Sequence, residues 1–348
     1  MSSPQERQVE PWDLPYDGRT TAEDIYHCFR LLLGRPPNRE EWRGHSSRVG
    51  EPLDAVVGSY VNSLEFTRRR LSDADAGSGY EVAELDGFRM FASPSDAAVG
   101  RHVLGGQYEG EVAAVFRSVL RPGMGVIDIG ANIGYFTMLS ARLVGPAGHV
   151  LAVEPNPLNA RMIEASRTMN GFSHVTVLQA AAGRQVGMLG LNTSHSNGTT
   201  STLEDTGAAM LEARTVPCLP LDAVVPGDRP VGLIKVDVEG AEYNALSGCL
   251  GIIRRDRPVI VSEFSPGMLE GISGVSGETY LGWLQGLGYG ISVIEADGSL
   301  ISSNGDPEAV MAIYRARVTD HIDIVAQPAG SGMRRGLARL AARVRRRG

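Results

Sequence analysis

The sequence predicts an α/β fold: a doubly wound, mostly parallel sheet of seven strands, with a small all-α module ahead of it. Three observations lead there. From residue 125 onward, short apolar runs alternate with helical stretches. The first run leads into a glycine loop and a helix, "VIDIGANIGYFTMLSARLVG", from Val126 to Gly145. The second run ends on an acid, Glu154, twenty residues beyond Gly134. Fully apolar strands alternating with helices imply a parallel sheet covered on both faces. An acid at the second strand end, after a glycine loop, is the pattern of a nucleoside site.

The elements follow in order. Residues 1–19 carry proline and charge and read as a flexible N-terminus. Residues 20–71 read as a helical module. Thr21 with Asp24 makes an N-cap signature, and Ile25, Phe29, Leu32 and Leu33 follow at helical spacing. "GRPPN" breaks that helix, and Asn38 with Glu41 starts another. Pro52 to Asn62 gives a third helical stretch, and Ser63 caps a short last turn through Phe66. "SDADAGSG" (72–79) reads as a linker. The main domain is expected over 80–320. "YEVAELDGFRMFA" predicts a hairpin turned at Asp86-Gly87, and a helix follows from Gly110 to Leu120. Strands are expected at 125–129, 149–153, 174–178, 232–238, 258–263, 290–295 and 309–315. Only a glycine-containing turn separates the last two, so they should pair antiparallel without a helix between them.

Composition bounds the function. No apolar run approaches the ~18 residues of a membrane span, and the N-terminus shows no apolar signal stretch. Cys28, Cys218 and Cys249 lie far apart, with no metal or disulfide spacing, which suits a reducing cytoplasm. The formal net charge is -7, so a nucleic-acid partner is not expected. Of 33 basic residues, Lys235 is the only lysine. The tail 331–348 holds seven arginines and no acid. Leu337, Leu340, Ala341 and Val344 share a helical face there. The tail reads either as a peripheral contact with anionic lipid at the inner membrane face or as a solvated helix end.

In the loop, Gly130 permits the tight turn and Gly134 lets the next helix pack close to the sheet. A pyrophosphate wants a bare middle glycine, and Asn132 stands there instead. Asp128, at the strand end, repels phosphate and attracts a cation. A nucleoside with an amino group and no phosphate fits better, and S-adenosylmethionine is such a ligand. Glu154 is placed to take its ribose hydroxyls. The backbone of "LQAAAG", around Ala180 and Ala181, is placed to line the adenine.

"VGLIKVDVEGAEYNAL" sets Lys235, Asp237 and Glu239 at alternate positions, hence on one face of a strand. Three charges in an apolar run are costly unless paired or used. The plain account is a Lys–Asp pair that fixes a strand end. The functional one is activation of a hydroxyl that attacks a sulfonium methyl. The base is Lys235 or Asp237, with Asp237 preferred and Lys235 as its charged partner.

Together these residues resemble the FkbM-type S-adenosylmethionine-dependent methyltransferases. The matching stretches are "RPGMGVIDIGANIGYFT", "VLAVEPNP", "LQAAAG", "PLDAV", "LIKVDVEGAEYNAL" and "PVIVSEFSP", covering residues 80–316. The resemblance implies a class I methyltransferase fold. It puts Asp128, Gly130, Asn132 and Glu154 at the cofactor and Asp237 and Glu239 at the reaction site. "GGQYEGEV" resembles the family's entry segment, which puts Tyr108 and Glu109 near the cofactor. The implied acceptor is a hydroxyl on a sugar, glycolipid or polyketide-type product. The helical module resembles a small repeat attached to bacterial surface-layer and glycan-related proteins. It tilts the acceptor toward a surface glycan, made in the cytoplasm by polysaccharide biosynthesis.

Other residues are weaker candidates. His195, in the polar stretch 191–203, is a catalytic candidate, although a histidine there is more often simply solvated. Glu263 ends the fifth strand and either points into the cleft or caps the next loop through Ser265. Asp237, Glu239 and Glu263 make a weak metal signal, and no metal is expected. Trp283, Leu284 and Leu287 read as core. An oligomer is compatible with the sequence. The competing functions are a nicotinamide-dependent oxidoreductase and a non-catalytic glycan-binding scaffold.

Overall fold

The run ahead of the glycine loop forms a strand, Gly125–Ile129, with all five residues buried, and it lies well inside an eight-stranded sheet. The computed structural model describes residues 17–69, 79–191 and 214–329. The chain divides into two compact units, one ending at Gly79 and one starting at Tyr80. The tail 331–348, the linker core 72–78 and most of the N-terminus lie outside the described residues.

The first unit is helical. Thr21 and Asp24 close a reciprocal capping box on the helix Ala22–His27, and Asn38 and Glu41 close another on Arg39–His45. The helices Leu53–Val61 and Leu64–Arg69 follow, and the Phe66 amide donates to Ser63 Oγ. Ile25, Phe29, Val56 and Tyr60 form the core. Arg35 bonds both Glu41 and Glu65, at 2.7 Å each.

The second unit begins with a hairpin, β1 (Glu81–Leu85) and β2 (Phe88–Ala92). The larger sheet holds β3 (Gly125–Ile129), β4 (His149–Val153) and β5 (Val175–Leu178) on one side. A small separate sheet takes β6 (Ala181–Ala182), β7 (Gly187–Leu191) and β8 (Arg214–Leu219). The chain then returns to the larger sheet with β9 (Val231–Val236), β10 (Val259–Phe264), β11 (Tyr289–Ile294), β12 (Leu300–Ser302) and β13 (Ile322–Pro328). The spatial order is β12-β11-β13-β10-β9-β3-β4-β5. β5, β4, β3, β9 and β10 run parallel, and β13 is antiparallel to β10 and β11. The strand order reverses between β3 and β9. Open α/β sheets place ligands outside the carboxyl ends at such a point.

Alternation along β3 feeds two cores. Val126 joins one apolar cluster with Phe116 and Met138, and Ile127 and Ile129 join the other with Phe264 and Tyr280. Asp128, Lys235, Val261 and Val325 follow Val126 onto the first face, because side chains alternate along a strand.

Four expectations need correction. The sheet has eight strands rather than seven: six of those predicted, together with Leu300–Ser302 and Ile322–Pro328, which were not. Residues 309–315 are not a strand but part of a helix, Pro307–Ala316. Asp306 caps it by accepting the Glu308 amide, and Pro307 takes its first position, a helix start that apolar content masked. The antiparallel partner of β11 is therefore β13, and a helix does lie between them. The sheet domain also runs past residue 320, since β13 ends at Pro328.

Candidate active site at the switch point

The glycine loop is shaped by what touches it. Gly130 has φ 76°, and a Cβ there would stand 1.8 Å from the Asp237 carbonyl oxygen. The end of β9 thus requires glycine at that place. Gly134 has φ 97°, and its Cβ would meet Ile163 at 2.9 Å. The close neighbour is therefore the helix Pro157–Met169 rather than the sheet. Asn132 is left-handed, with φ 50°, a conformation that asparagine tolerates better than most residues. Its amide donates to Glu154 Oε2 at 2.8 Å, and the Asn156 amide donates to Oε1 at 2.8 Å. Glu154 thus braces both loops. Its burial outweighs these donors and pushes its carboxyl up to about 8.

Asp128 and Lys235 sit side by side on β3 and β9. Asp128 is fully buried. Its Oδ2 accepts the Thr137 hydroxyl at 2.6 Å, while Oδ1 has no hydrogen-bond partner among the described residues. Lys235 is also buried and donates from Nζ to Asp237 Oδ2 at 2.8 Å, with Nζ 4.9 Å from the centre of the Phe136 ring. Burial opposes the Lys235 charge, but Asp237, Glu109 and Asp128 outweigh it and hold the ammonium above its usual range. Burial likewise pushes Asp237 up, yet Lys235 leads the groups that bring it below the ordinary carboxylate value. The pair is thus an ammonium and a carboxylate, and a neutral Lys235 acting as base is not what this geometry favours.

β9 ends at Val236, two residues short of the expected 232–238. Glu239 is left-handed, with φ 53°, so strand alternation no longer aims it. Burial, reinforced by Asp237, raises its carboxyl above the ordinary value. Glu242 Oε1 accepts the Val238 and Gly240 amides, at 3.0 and 3.1 Å, and holds this turn. Ser262 pairs with Val236, so Glu263 comes level with Asp237, and Glu263 pairs with Asp323 across the β10–β13 ladder. Three carboxyls therefore stand in a row, Asp237 just past the end of β9, Glu263 on β10 and Asp323 on β13. Burial, reinforced by the Asp237 charge and the close approach of its side chain, pushes Glu263 up to about 11. Burial raises Asp323 to about 6. His321 Nδ1 lies 3.5 Å from Glu263 Oε1.

Glu109 is left-handed at φ 39° ahead of the helix Gly110–Val119 and lies within electrostatic reach of Lys235 and Asp237. Burial raises it to about 7, against the pull of Lys235. Tyr108, Asn132, Tyr135, Phe136, Lys235 and Asp237 line a narrow cleft over the switch point. Its lining does not include Glu109, Asp128, Glu154, Ala181 or Glu239. Ala181 instead pairs with Cys218 in the small sheet. His195 lies outside the described residues. No metal-holding group of His, Cys, Asp and Glu occurs among the described residues. Sequence reasoning missed Asp323, His321 and Glu242. Reading "HIDIV" as the last strand would have exposed the first two.

Residues 128–291, just under half of the chain, match the family model described as the methyltransferase FkbM domain. Among curated proteins, a protein-L-isoaspartate O-methyltransferase of Methanothrix thermoacetophila is 42% identical over 55 residues, 15% of this chain and 26% of that protein. Its counterpart from Ignicoccus hospitalis is 39% identical over 59 residues, 17% of this chain and 28% of that protein. The chain thus spans little more than a quarter of the length of these relatives. Among solved structures, the methyltransferase FkbM of Methylobacillus flagellatus is similar with a TM-score of 0.37 and 16% identity, over 65% of this chain and 52% of that one.

Proposed function

We propose that the protein is an S-adenosylmethionine-dependent O-methyltransferase acting on a hydroxyl of an uncharged sugar, in a surface glycan, a glycolipid or a glycosylated natural product. The observation that carries the reading is Asp128, buried at the end of β3 with Oδ1 lacking a donor. A buried carboxylate oxygen without a donor suits the amino group of this cofactor and repels the pyrophosphate of a nicotinamide cofactor. The match of residues 128–291 to a methyltransferase domain supports the same conclusion.

Asp128, the turn at Gly130 and Asn132, and Glu154 would hold the cofactor. Bound there, it supplies a methyl group on a sulfonium. Glu154 keeps lone pairs for ribose hydroxyls beyond its two backbone donors. Ala181 stays a candidate for the adenine side. The acceptor oxygen gains the methyl and loses its proton. Asp237, ionised beside Lys235, accepts the hydrogen bond of that hydroxyl and aims the oxygen. Glu109, at about 7, is matched to take a proton near neutral pH. Glu239 extends the acidic wall. Most of the acceleration comes from alignment.

The acids grouped around Lys235 and Asp237, namely Glu109, Asp128 and Glu239, support a neutral acceptor over a phosphorylated or carboxylate one, and so over the isoaspartyl carboxyl that the curated relatives' name specifies. The resemblance of the helical module to glycan-related repeats supports a surface glycan. No helix among the described residues is long and apolar enough to cross a membrane. The basic tail would add a peripheral contact with anionic lipid. Calorimetry with S-adenosylhomocysteine and with NAD tests the cofactor, and binding of NAD alone sinks the reading. Labelled methyl should then pass from S-adenosylmethionine to extracted surface glycan and be found as a methyl ether. A scaffold without catalysis would bind the glycan and leave it unlabelled.

A further inference from the structure

We propose that Glu263 is a positioning residue: it carries a proton and donates it to Asp237, fixing that carboxylate between two donors at the mouth of the cleft. The strand register comes first. Ser262 lies beside Val236 and Glu263 beside Asp323, so Glu263 sits between Asp237 and Asp323 on one face. Two carboxyls can share a hydrogen bond only when one of them bears the hydrogen. Three adjacent ionised carboxylates would repel one another across the row. Lys235 already donates to Asp237, which leaves Asp237 as the acceptor and Glu263 as the donor. Glu263 Oε2 is buried and receives no donor among the described residues, as suits an oxygen that holds its own hydrogen.

The groups facing Glu263 are Asp237 just past the end of β9, with its partner Lys235 on β9, Glu239 and Glu242 in the turn beyond, and Asp323 and His321 at β13. The acids keep the proton on Glu263. His321, 3.5 Å away and half exposed, opposes them only when it is itself charged. Glu263 is set away from the cleft lining, so it acts on the acceptor through Asp237. That last step rests on the methyltransferase reading, whereas the location of the proton does not.

The proton is read by infrared spectroscopy of the intact protein near pH ~9. At that pH Glu109, Glu242 and Glu154 have lost theirs, since they titrate at about 7, 7 and 8, and Glu263 at about 11 has not. A protonated-carboxyl band should be present and should vanish in Glu263→Gln. Absence of the band in the unaltered protein overturns the proposal, whatever reaction the protein performs. If Glu263→Gln does not fold, carbon-13 NMR of glutamate-labelled native protein replaces it. One glutamate should then stay protonated to that pH, and finding none overturns the proposal. In the methylation assay Glu263→Gln, which keeps a donor, should hold kcat within about threefold, while Glu263→Ala loses roughly 30-fold in kcat with little change in cofactor KM. Equal damage from both variants, or none from Glu263→Ala, overturns the positioning role.

Discussion

Acids are held in opposite ways in the two units. In the helical unit Glu41 meets the Arg35 guanidinium and the Asn38 amide, and its carboxyl is drawn down to about 2. In the sheet unit Glu109, Glu154, Glu242, Glu263 and Asp323 are all pushed up, burial being the first cause in each. The first arrangement serves structure: a solvent-facing ion network joins three segments. The second is costly to fold and is tolerated where chemistry needs groups that change charge near neutrality. Number of acids says little; the presence of a matched cation and of water decides what they do.

The strongest way to break this contrast is to remove the one cation of the cleft. Lys235→Ala leaves buried Asp128 and half-buried Asp237 without compensation. It should cost about 3–5 kcal/mol in urea unfolding, and methyl transfer should fall by roughly 100-fold or more. Titration comes next. These five carboxyls bind protons in the native state that the unfolded chain releases above about pH 4.5. Their contribution to stability is therefore fully present below that pH and is lost as pH rises toward their native values. The Tm of the cofactor-free protein should fall steadily between about pH 5 and 8. A flat or rising profile would contradict the assignment.

Gly130→Ala tests the junction of loop and strand. The new Cβ collides with the Asp237 carbonyl in a left-handed conformation. A loss of about 2 kcal/mol in stability and of ~10-fold or more in S-adenosylhomocysteine affinity is expected, by unfolding and calorimetry. The smallest effect sharpens the contrast from the other side. Arg35→Ala should slightly lower the melting point of the helical unit and change S-adenosylhomocysteine affinity by less than about twofold. A larger loss of binding would mean that the network serves the cleft.

Much of the fold could be read from the chain because its local signals agree. The caps at Thr21 and Asn38, the turn at Asp86-Gly87 and the apolar runs of β3 and β4 each point to one structure. The run 309–315 misled because Val310, Met311 and Ile313 fit strand and helix alike, and Asp306-Pro307 was the better guide. The charged centre was legible for the same reason that it is unusual: Lys235, Asp237 and Asp128 interrupt apolar runs. The carboxyl row was not legible. It exists only through register between β9, β10 and β13, which local sequence does not encode. Glu242 stayed hidden because its work is to accept two backbone amides, a task that many residue types perform.

The place of β13 has a consequence for synthesis. It lies between β10 and β11, although it is the last strand of the sheet to be made. Until residues 322–328 emerge from the ribosome, the β11–β12 hairpin has no route into the sheet and β10 is an open edge. Asp323 and His321 arrive with that same segment. The nascent chain can therefore shape its nucleoside loop early, but it closes the acidic wall and seals the sheet in one late event. A stalled chain would expose β10 as a sticky edge while presenting only half a reaction site.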